Sequence, residues 1–213
     1  MDKTNLETFF KEIGEKIKEA VKNYYPIMQK RFENENPYAV VFYTDSDCVT
    51  LSLIVNTYES LKKTDAEYND DDDDDETTKW FPNEWEYWDD SINSGMQEIA
   101  EELSKKNSSI ADQVIKQRPD LAYNPDLTDA QRIDQYNQLS ALFEEYRFTE
   151  QFLETVISAF QELIKSDVFG LDPDEVVYFI TMSDDNRAEE IENNSAKALN
   201  SKKVYEKFLK RFD

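Results

Sequence analysis

The spacing of apolar residues predicts a long amphipathic helix near the start of the chain. From Leu6 and Phe10 to Val21, apolar residues recur every three or four positions, which is the repeat of a helix with one buried face. We therefore predict a helix over about residues 4–33. Pro26 predicts a kink or break in its later part, because proline removes a backbone donor and clashes inside a helix.

After this helix the repeat changes to that of β-strands. Residues 38–44 are β-branched and aromatic, residues 45–47 form the turn-like triplet Asp-Ser-Asp, and residues 49–55 largely alternate apolar with polar side chains. This pattern predicts a β-hairpin. A further apolar run at residues 176–180 predicts another strand. Because the run has no polar positions, we expect that strand to be buried and central in its sheet.

Helical repeats account for most of the remaining chain, with a polar loop predicted over residues 104–128. We predict helices from Pro82 to about residue 103, around residues 110–115, over 129–146, 150–165 and 187–198, and after Ser201. Helices and strands are segregated along the chain, which favours an α+β fold over an alternating α/β fold. We predict one domain over residues 1–213, in which a small β-sheet, made of the hairpin and a central C-terminal strand, is packed by several α-helices.

The charge balance of the chain favours a cationic partner. The sequence has 47 acidic and 24 basic residues, for a net charge of −23. Such a charge disfavours binding to nucleic acid and to anionic membranes, and it speeds association with basic proteins. A simpler interpretation of the negative charge is that it only keeps the protein soluble. Nine of the acids lie in residues 65–76, which predicts a disordered acidic loop.

The residue types that most enzymes use for proton transfer and metal binding are scarce. The chain has no histidine, one cysteine (Cys48) and three scattered glycines. This composition excludes Ser-His-Asp and Cys-His nucleophile systems, the usual zinc sites and glycine-rich phosphate loops. We therefore predict no catalytic residue, no metal and no cofactor. Carboxylates remain: Asp45 and Asp47, and Asp184 and Asp185, either bind a divalent cation or bond to the backbone of their own turns.

All three tryptophans lie in the segment from Trp80 to Trp88. Tryptophan is a preferred anchor of binding hot spots, and it also buries a large apolar area when it packs in a core. We expect most of this cluster to lie in the core and one tryptophan to be exposed. Trp85 and Trp88, with the four aspartates of the two turns, are our candidate contacts for a protein partner.

Several segments together resemble an uncharacterised bacterial family of small cytosolic proteins, the domain-of-unknown-function family of the 4303 series. The segments that carry the resemblance are Phe42–Asp45, Asn56–Glu59, Lys79–Trp85, Phe179–Asp184 and Ala198–Asn200. The resemblance implies a stand-alone α+β protein and transfers no catalytic residue. Members of the family look similar in kind to proteins found near bacterial toxin–immunity loci, which suggests an association with such loci and nothing more specific.

These observations favour a non-enzymatic protein-binding module, in the form of an immunity protein that neutralises a basic toxin. Two alternatives remain: a carboxylate- or metal-dependent enzyme of unknown substrate, and an acidic DNA mimic. We expect a cytoplasmic protein, because no signal peptide and no apolar stretch of about 20 residues is visible. The sequence does not determine the oligomeric state.

Overall fold

The computed structural model describes the backbone of residues 3–68 and 78–212, and the side chains of residues 5–66 and 78–212. The described helices are α1 (Lys3–Gln29), α2 (Tyr58–Tyr68), α3 (Ser91–Ser94), α4 (Met96–Gln117), α5 (Asp129–Glu144), α6 (Phe148–Lys165), α7 (Ala188–Leu199) and α8 (Lys202–Phe208). The described strands are β1 (Pro37–Asp45), β2 (Ser52–Thr57), β3 (Tyr87–Trp88) and β4 (Val177–Ser183).

The four strands form one mixed sheet in the order β3-β2-β1-β4. β1 pairs antiparallel with β2 and parallel with β4, so that Val41 lies opposite Ile54 on one side and Phe179 on the other. β3 pairs antiparallel with β2. This arrangement confirms the predicted α+β fold, in which a hairpin and a C-terminal strand share a small sheet with helices around it.

Both faces of the sheet are buried, which explains why its strands are almost continuously apolar. Side chains on one face, such as Phe42, pack against α1 and α6, and the rings of Phe42 and Phe160 lie edge to face at 4.8 Å between centroids. The opposite face packs against α7 and α8, where Phe179 meets Phe208 with 4.8 Å between ring centroids. The sheet therefore separates a larger core from a smaller one.

The C-terminal strand is buried as predicted, but it lies at an edge of the sheet and not at its centre. Side chains from α7 and the residue that follows it replace the missing strand neighbour. Asn200 accepts a hydrogen bond from the Tyr178 N–H at 2.8 Å and donates one to the Tyr178 carbonyl at 2.6 Å. Ser195 accepts one from the Ile180 N–H at 2.9 Å. An apolar run therefore marks burial of both faces of a strand and does not distinguish an edge from a centre.

The region after Pro82 also differs from the prediction. Residues 82–84 form a 3-10 turn and Tyr87–Trp88 form strand β3, so the predicted single helix is divided. Asp90 caps α3, and Gly95, with φ at +83°, separates α3 from α4. α4 then continues through the polar residues 104–109, which we had predicted to be a loop. One buried stripe on α4 is enough to hold these polar residues in a helix.

The predicted acidic loop at residues 65–76 is partly helical. Residues 65–68 form the last turn of α2, and the hydroxyl of Thr78 donates a hydrogen bond to the Asp65 carboxylate. The rest of the predicted loop lies outside the described residues.

The substitution Asn200→Ala tests the edge of β4. It removes the two hydrogen bonds to Tyr178 and leaves backbone groups of an edge strand without partners, so we expect a loss of about 2 kcal/mol in the free energy of unfolding. Urea denaturation measures the change. Asn194→Ala, at an exposed position on α7, the helix that Asn200 follows, is the control and should alter stability by less than about 0.5 kcal/mol. Equal effects of the two substitutions would contradict this role for Asn200.

Candidate functional site

The parallel pairing of β1 and β4 brings two acidic turns to the same end of the sheet. Asp45, the last residue of β1, is the register partner of Ser183, the last residue of β4. The turn after β1 carries Asp47, and the residues that follow Ser183 are Asp184 and Asp185. The two turns, which are distant in sequence, therefore lie at the same end of the sheet, and we call Asp45, Asp47, Asp184 and Asp185 together the acidic rim.

The first turn of the rim is held by the Asp45 carboxylate. One of its oxygens accepts hydrogen bonds from the N–H groups of Asp47 at 3.1 Å and Val49 at 3.0 Å, and the Asp45 carbonyl accepts one from the Cys48 N–H at 3.0 Å. This is the turn chemistry expected of an aspartate that bonds to its own backbone. The Asp47 side chain is exposed and makes no hydrogen bond to the described residues.

The second turn is held by an ion pair. The Asp185 carboxylate accepts hydrogen bonds from the Arg187 backbone N–H at 2.7 Å and from two guanidinium nitrogens at 3.2 and 3.0 Å. Hydrogen bonding to Arg187 keeps the pKa of Asp185 below its usual value, so Asp185 stays ionised. Asp184 has a φ of +56°, is exposed, and makes no side-chain hydrogen bond to the described residues. Arg187 is not among the residues that the sequence pattern predicts for this site, although its place two residues after Asp185 is a usable signal.

Cys48 lies buried inside the first turn of the rim. Its φ is +55°, and its side chain has 0% exposure. Burial raises the pKa of the thiol to about 12, with a smaller opposing contribution from its hydrogen bond to Thr149. The thiol is therefore neutral at ordinary pH, and it packs in the core.

The two candidate tryptophans occupy different environments. Trp85 is 3% exposed in the smaller core, with its ring edge-on to Tyr38 and Phe179 at centroid distances of 5.9 and 6.3 Å. Its side chain therefore has almost no surface to offer a partner while the fold is intact. Trp88 is half-buried, donates a hydrogen bond to the Trp85 carbonyl at 2.9 Å, and packs edge-on against Tyr43, two residues before Asp45. Trp88 is thus linked to the rim through its contact with Tyr43, and the Trp85 carbonyl holds the Trp88 indole in place.

The rim offers fixed negative charge. Two of its carboxylates, Asp45 and Asp185, are occupied by hydrogen bonds within their own turns. Within residues 3–68 and 78–212, no three acidic or cysteine side chains are grouped so that they could hold a metal ion. Such a surface suits recognition of a cation.

A motif that carried the family resemblance has a structural role. Glu59 accepts hydrogen bonds from the backbone N–H and the side-chain amide of Asn36, at 2.8 and 2.6 Å. Thr57 donates to Glu35 at 2.5 Å and accepts from the Ser60 N–H at 3.0 Å, so it caps α2. These contacts fasten the start of β1 to the junction of β2 and α2, which lies at the other end of the strands from the rim.

Fold and site together define an α+β protein with a mixed four-stranded sheet and an acidic rim at the ends of β1 and β4. The chain belongs to the family described as Domain of unknown function (DUF4303), whose model matches residues 17–201. The match confirms the resemblance inferred from the sequence, and it spans all four strands and the rim. Neither a curated protein nor a solved structure matches the chain. None of the helices in the described residues has the length and apolar character needed to cross a bilayer.

Asp89, beside Trp88, is a buried carboxyl group outside the rim. One of its oxygens accepts hydrogen bonds from the Leu53 N–H at 3.2 Å and the Ser94 hydroxyl at 3.3 Å, which joins β2 to α3. The other oxygen is buried and has no hydrogen-bond partner among the described residues. Burial raises the pKa of Asp89 to about 6, against partial lowering by these hydrogen bonds. The geometry is that of a structural carboxyl group whose charged form is poorly solvated.

Asp89→Asn tests this assignment through the pH dependence of stability. The pKa of Asp89 is higher in the folded than in the unfolded chain, so its stabilising contribution is complete below about pH 4 and is lost as pH rises through about 6. Between about pH 4 and pH 7, the wild type should lose about 2–3 kcal/mol of unfolding free energy relative to Asp89→Asn. Urea denaturation at several pH values measures this difference. The unfolding free energy of the exposed control Asp112→Asn should depend on pH in the same way as that of the wild type. If the pH dependence for Asp89→Asn were also the same as for the wild type, the assignment would be refuted.

Proposed function

We propose that this protein is a non-enzymatic protein-binding module that engages a basic partner through its acidic rim. In the specific form of the proposal, it is an immunity protein and the partner is a basic toxin that it neutralises. The observation that supports this proposal is the register of β1 and β4, which gathers Asp45, Asp47, Asp184 and Asp185 at one end of the sheet.

The two exposed aspartates of the rim are suited to pair with cations on a partner. Asp47 and Asp184 are exposed and make no side-chain hydrogen bonds to described residues, whereas the neighbouring guanidinium of Arg187 is already paired with Asp185. Asp45 fixes the first turn through two hydrogen bonds to its backbone. Because both turns are ordered before binding, little conformational entropy is lost when a partner binds.

The overall charge supports the same kind of partner. A net charge of −23 attracts a basic protein over distances comparable to the Debye length of about 8–10 Å and accelerates encounter. Trp88, which packs against Tyr43 two residues before Asp45, supplies an aromatic surface of the kind found at binding hot spots. Charge complementarity then governs the association rate, and the aromatic contact contributes to the lifetime of the complex.

We include a cytoplasmic location in the proposal. Its support is the chemistry of Cys48, the one cysteine of the sequence, whose buried thiol has no disulfide partner in the chain. A protein without disulfides fits a reducing compartment. The alternatives of a carboxylate-dependent enzyme and a DNA mimic lack a comparable supporting observation in the described residues.

The test compares two pairs of aspartate-to-asparagine substitutions, each of which removes two negative charges. Asp47→Asn with Asp184→Asn removes two rim charges without removing a turn hydrogen bond, and asparagine tolerates the positive φ of residue 184. Asp112→Asn with Asp126→Asn makes the same charge change at exposed positions on α4 and in the loop before α5. The partner is first captured from a lysate of the source cells at low salt and identified by mass spectrometry. Association rates are then measured with the purified partner over a range of salt concentrations.

We expect a basic protein whose association rate at low salt falls about tenfold with the rim pair and less than about twofold with the control pair. The rates of wild type and variants should converge at about 0.5 M salt, where the Debye length is only a few ångströms. If the partner is a toxin, its expression alone should arrest growth and co-expression of the wild type should restore it. Binding that is independent of salt, or equal effects of the two pairs, would contradict the proposal.

A further inference from the structure

A row of lysines lies on α8 and on the turn that continues it. Lys203, Lys207 and Lys210 follow one another at intervals of four and three residues, so they lie on one side of the helix on consecutive turns. Lys207 and Lys210 border the same surface depression as Tyr38 and Val177, which lie near the first residues of β1 and β4. We call the three lysines the lysine stripe. It lies towards the opposite end of these strands from the acidic rim.

The buried side of α8 holds the stripe in a fixed position. Val204 and Phe208 are 5% and 1% exposed and pack in the smaller core. Arg211, which directly follows the stripe, donates hydrogen bonds to Glu192 at 2.9 Å and to Asn193 at 2.7 Å. Because this segment is anchored before and after its exposed side, a partner that binds the lysines orders little backbone.

The positive charge of the stripe is not neutralised by the described part of the fold. Other lysines do meet carboxylates: Lys16 lies 2.5 Å from Glu102, and Lys18 lies 2.5 Å from Glu162, measured from Nζ to a carboxylate oxygen. The three lysines of the stripe are exposed and make no ion pair or side-chain hydrogen bond with any described residue. Their ammonium groups are therefore available to a partner.

Acids near the stripe leave its charge in excess. Asp174 and Glu175 border the same depression, but the Asp174 carboxylate accepts a hydrogen bond from the Ser201 hydroxyl at 3.0 Å. Glu175 is exposed and forms no ion pair with a described residue. Residues 201–212 themselves contain five basic residues and one acidic residue, Glu206, in a chain whose net charge is −23. This segment thus has the opposite charge balance to that of the whole chain.

We infer that the lysine stripe is a second interaction surface, which binds an acidic helical segment of a partner protein. Glutamates or aspartates three or four residues apart on such a helix match the spacing of the lysines, as charged positions match across paired helices. The stripe spans about 10 Å at a rise of about 1.5 Å per residue, so two turns of the partner helix meet all three lysines. This surface is independent of the acidic rim, which is proposed to bind a basic partner.

The charge of the whole chain favours a short anionic partner over an extended one. A bilayer surface or a long nucleic acid extends past the stripe and comes within a Debye length, about 8–10 Å, of acidic surface that repels it. A second copy of this chain also carries a net charge of −23 and is repelled as a whole. A short acidic segment contacts the stripe alone, where the charges are complementary.

The test uses a fluorescein-labelled, alanine-based peptide of about 20 residues, long enough to form a helix, with glutamate at every third or fourth position. Its fluorescence anisotropy is followed while full-length protein is added at low salt. A peptide with glutamine in place of every glutamate is the control for charge. Vesicles containing phosphatidylserine and a single-stranded DNA oligonucleotide serve as competitors, and sedimentation of the protein alone reports self-association.

We expect saturable binding of the glutamate peptide with a Kd of about 10–100 μM at low salt, and at least about tenfold weaker binding at about 0.5 M salt. Lys207→Gln with Lys210→Gln should weaken binding at least about fivefold, because two of the three complementary charges are lost. Lys11→Gln with Lys22→Gln removes the same charge at exposed positions on α1 and should change binding by less than about twofold. The rim pair of substitutions should bind the peptide no more weakly than the wild type.

Three results would overturn the inference. The first is no saturation at about 0.5 mM protein, or equal binding of the glutamine peptide, because either would show that the carboxylates are not recognised. The second is an equal loss of affinity in the two lysine pairs, which would assign the effect to overall charge. The third is tighter binding of the vesicles or the DNA, or self-association at low salt that the stripe substitutions abolish, because the stripe would then serve a different partner.

Discussion

The parallel pairing of β1 with β4 is the interaction on which the rest of the structure depends. It joins strands that are more than a hundred residues apart in sequence, and its register places Ala39 opposite Val177 at one end and Asp45 opposite Ser183 at the other. Side chains alternate between the two faces of a strand, so a slip of one residue would exchange the side chains of the larger and smaller cores. The two cores and the acidic rim therefore share one register.

That pairing leaves β4 at an edge, and the chain protects the edge with side chains. Asn200 and Ser195 bond to alternate residues of β4, as a neighbouring strand would, because every second residue of a strand directs its backbone groups to the same side. A free edge would otherwise offer a template for pairing with another chain. The Leu-Asn ending that contributed to the family resemblance is thus explained by the fold. The fold also explains Glu59, another residue of the family resemblance, because its carboxylate binds Asn36 and so connects residue 36 to the end of β2.

Since these family-like motifs stabilise the fold, function must be sought on surfaces that the fold leaves available. The two ends of the β1–β4 pair provide them, and they differ in chemistry. At the carboxyl ends, ordered turns present aspartates to solvent, and a field of this kind acts over several ångströms on a partner of opposite charge. At the amino ends, aromatic side chains such as those of Tyr38 and Trp80 pack edge to face, with 5.9 Å between ring centroids.

The sequence by itself determined the fold class and the nature of most elements. Helical spacing located α1 and α6, and the change to an alternating pattern located the hairpin, because these repeats reflect which side of an element is buried. It also identified both acidic turns, since aspartate next to a strand end is a local turn signal. It could not show that the two turns meet, because that depends on the partner and register of β4.

Only the tertiary structure decided the positions of β3 and β4, the burial of Trp85, and the meeting of the two acidic turns at one end of the sheet. The physical reason is common to all of them. Burial of both faces gives the same apolar run in an edge strand as in a central one, and a tryptophan-rich segment suits a core as well as a surface. Local patterns record how much of each residue is buried, whereas contacts between distant segments decide what each residue is buried against.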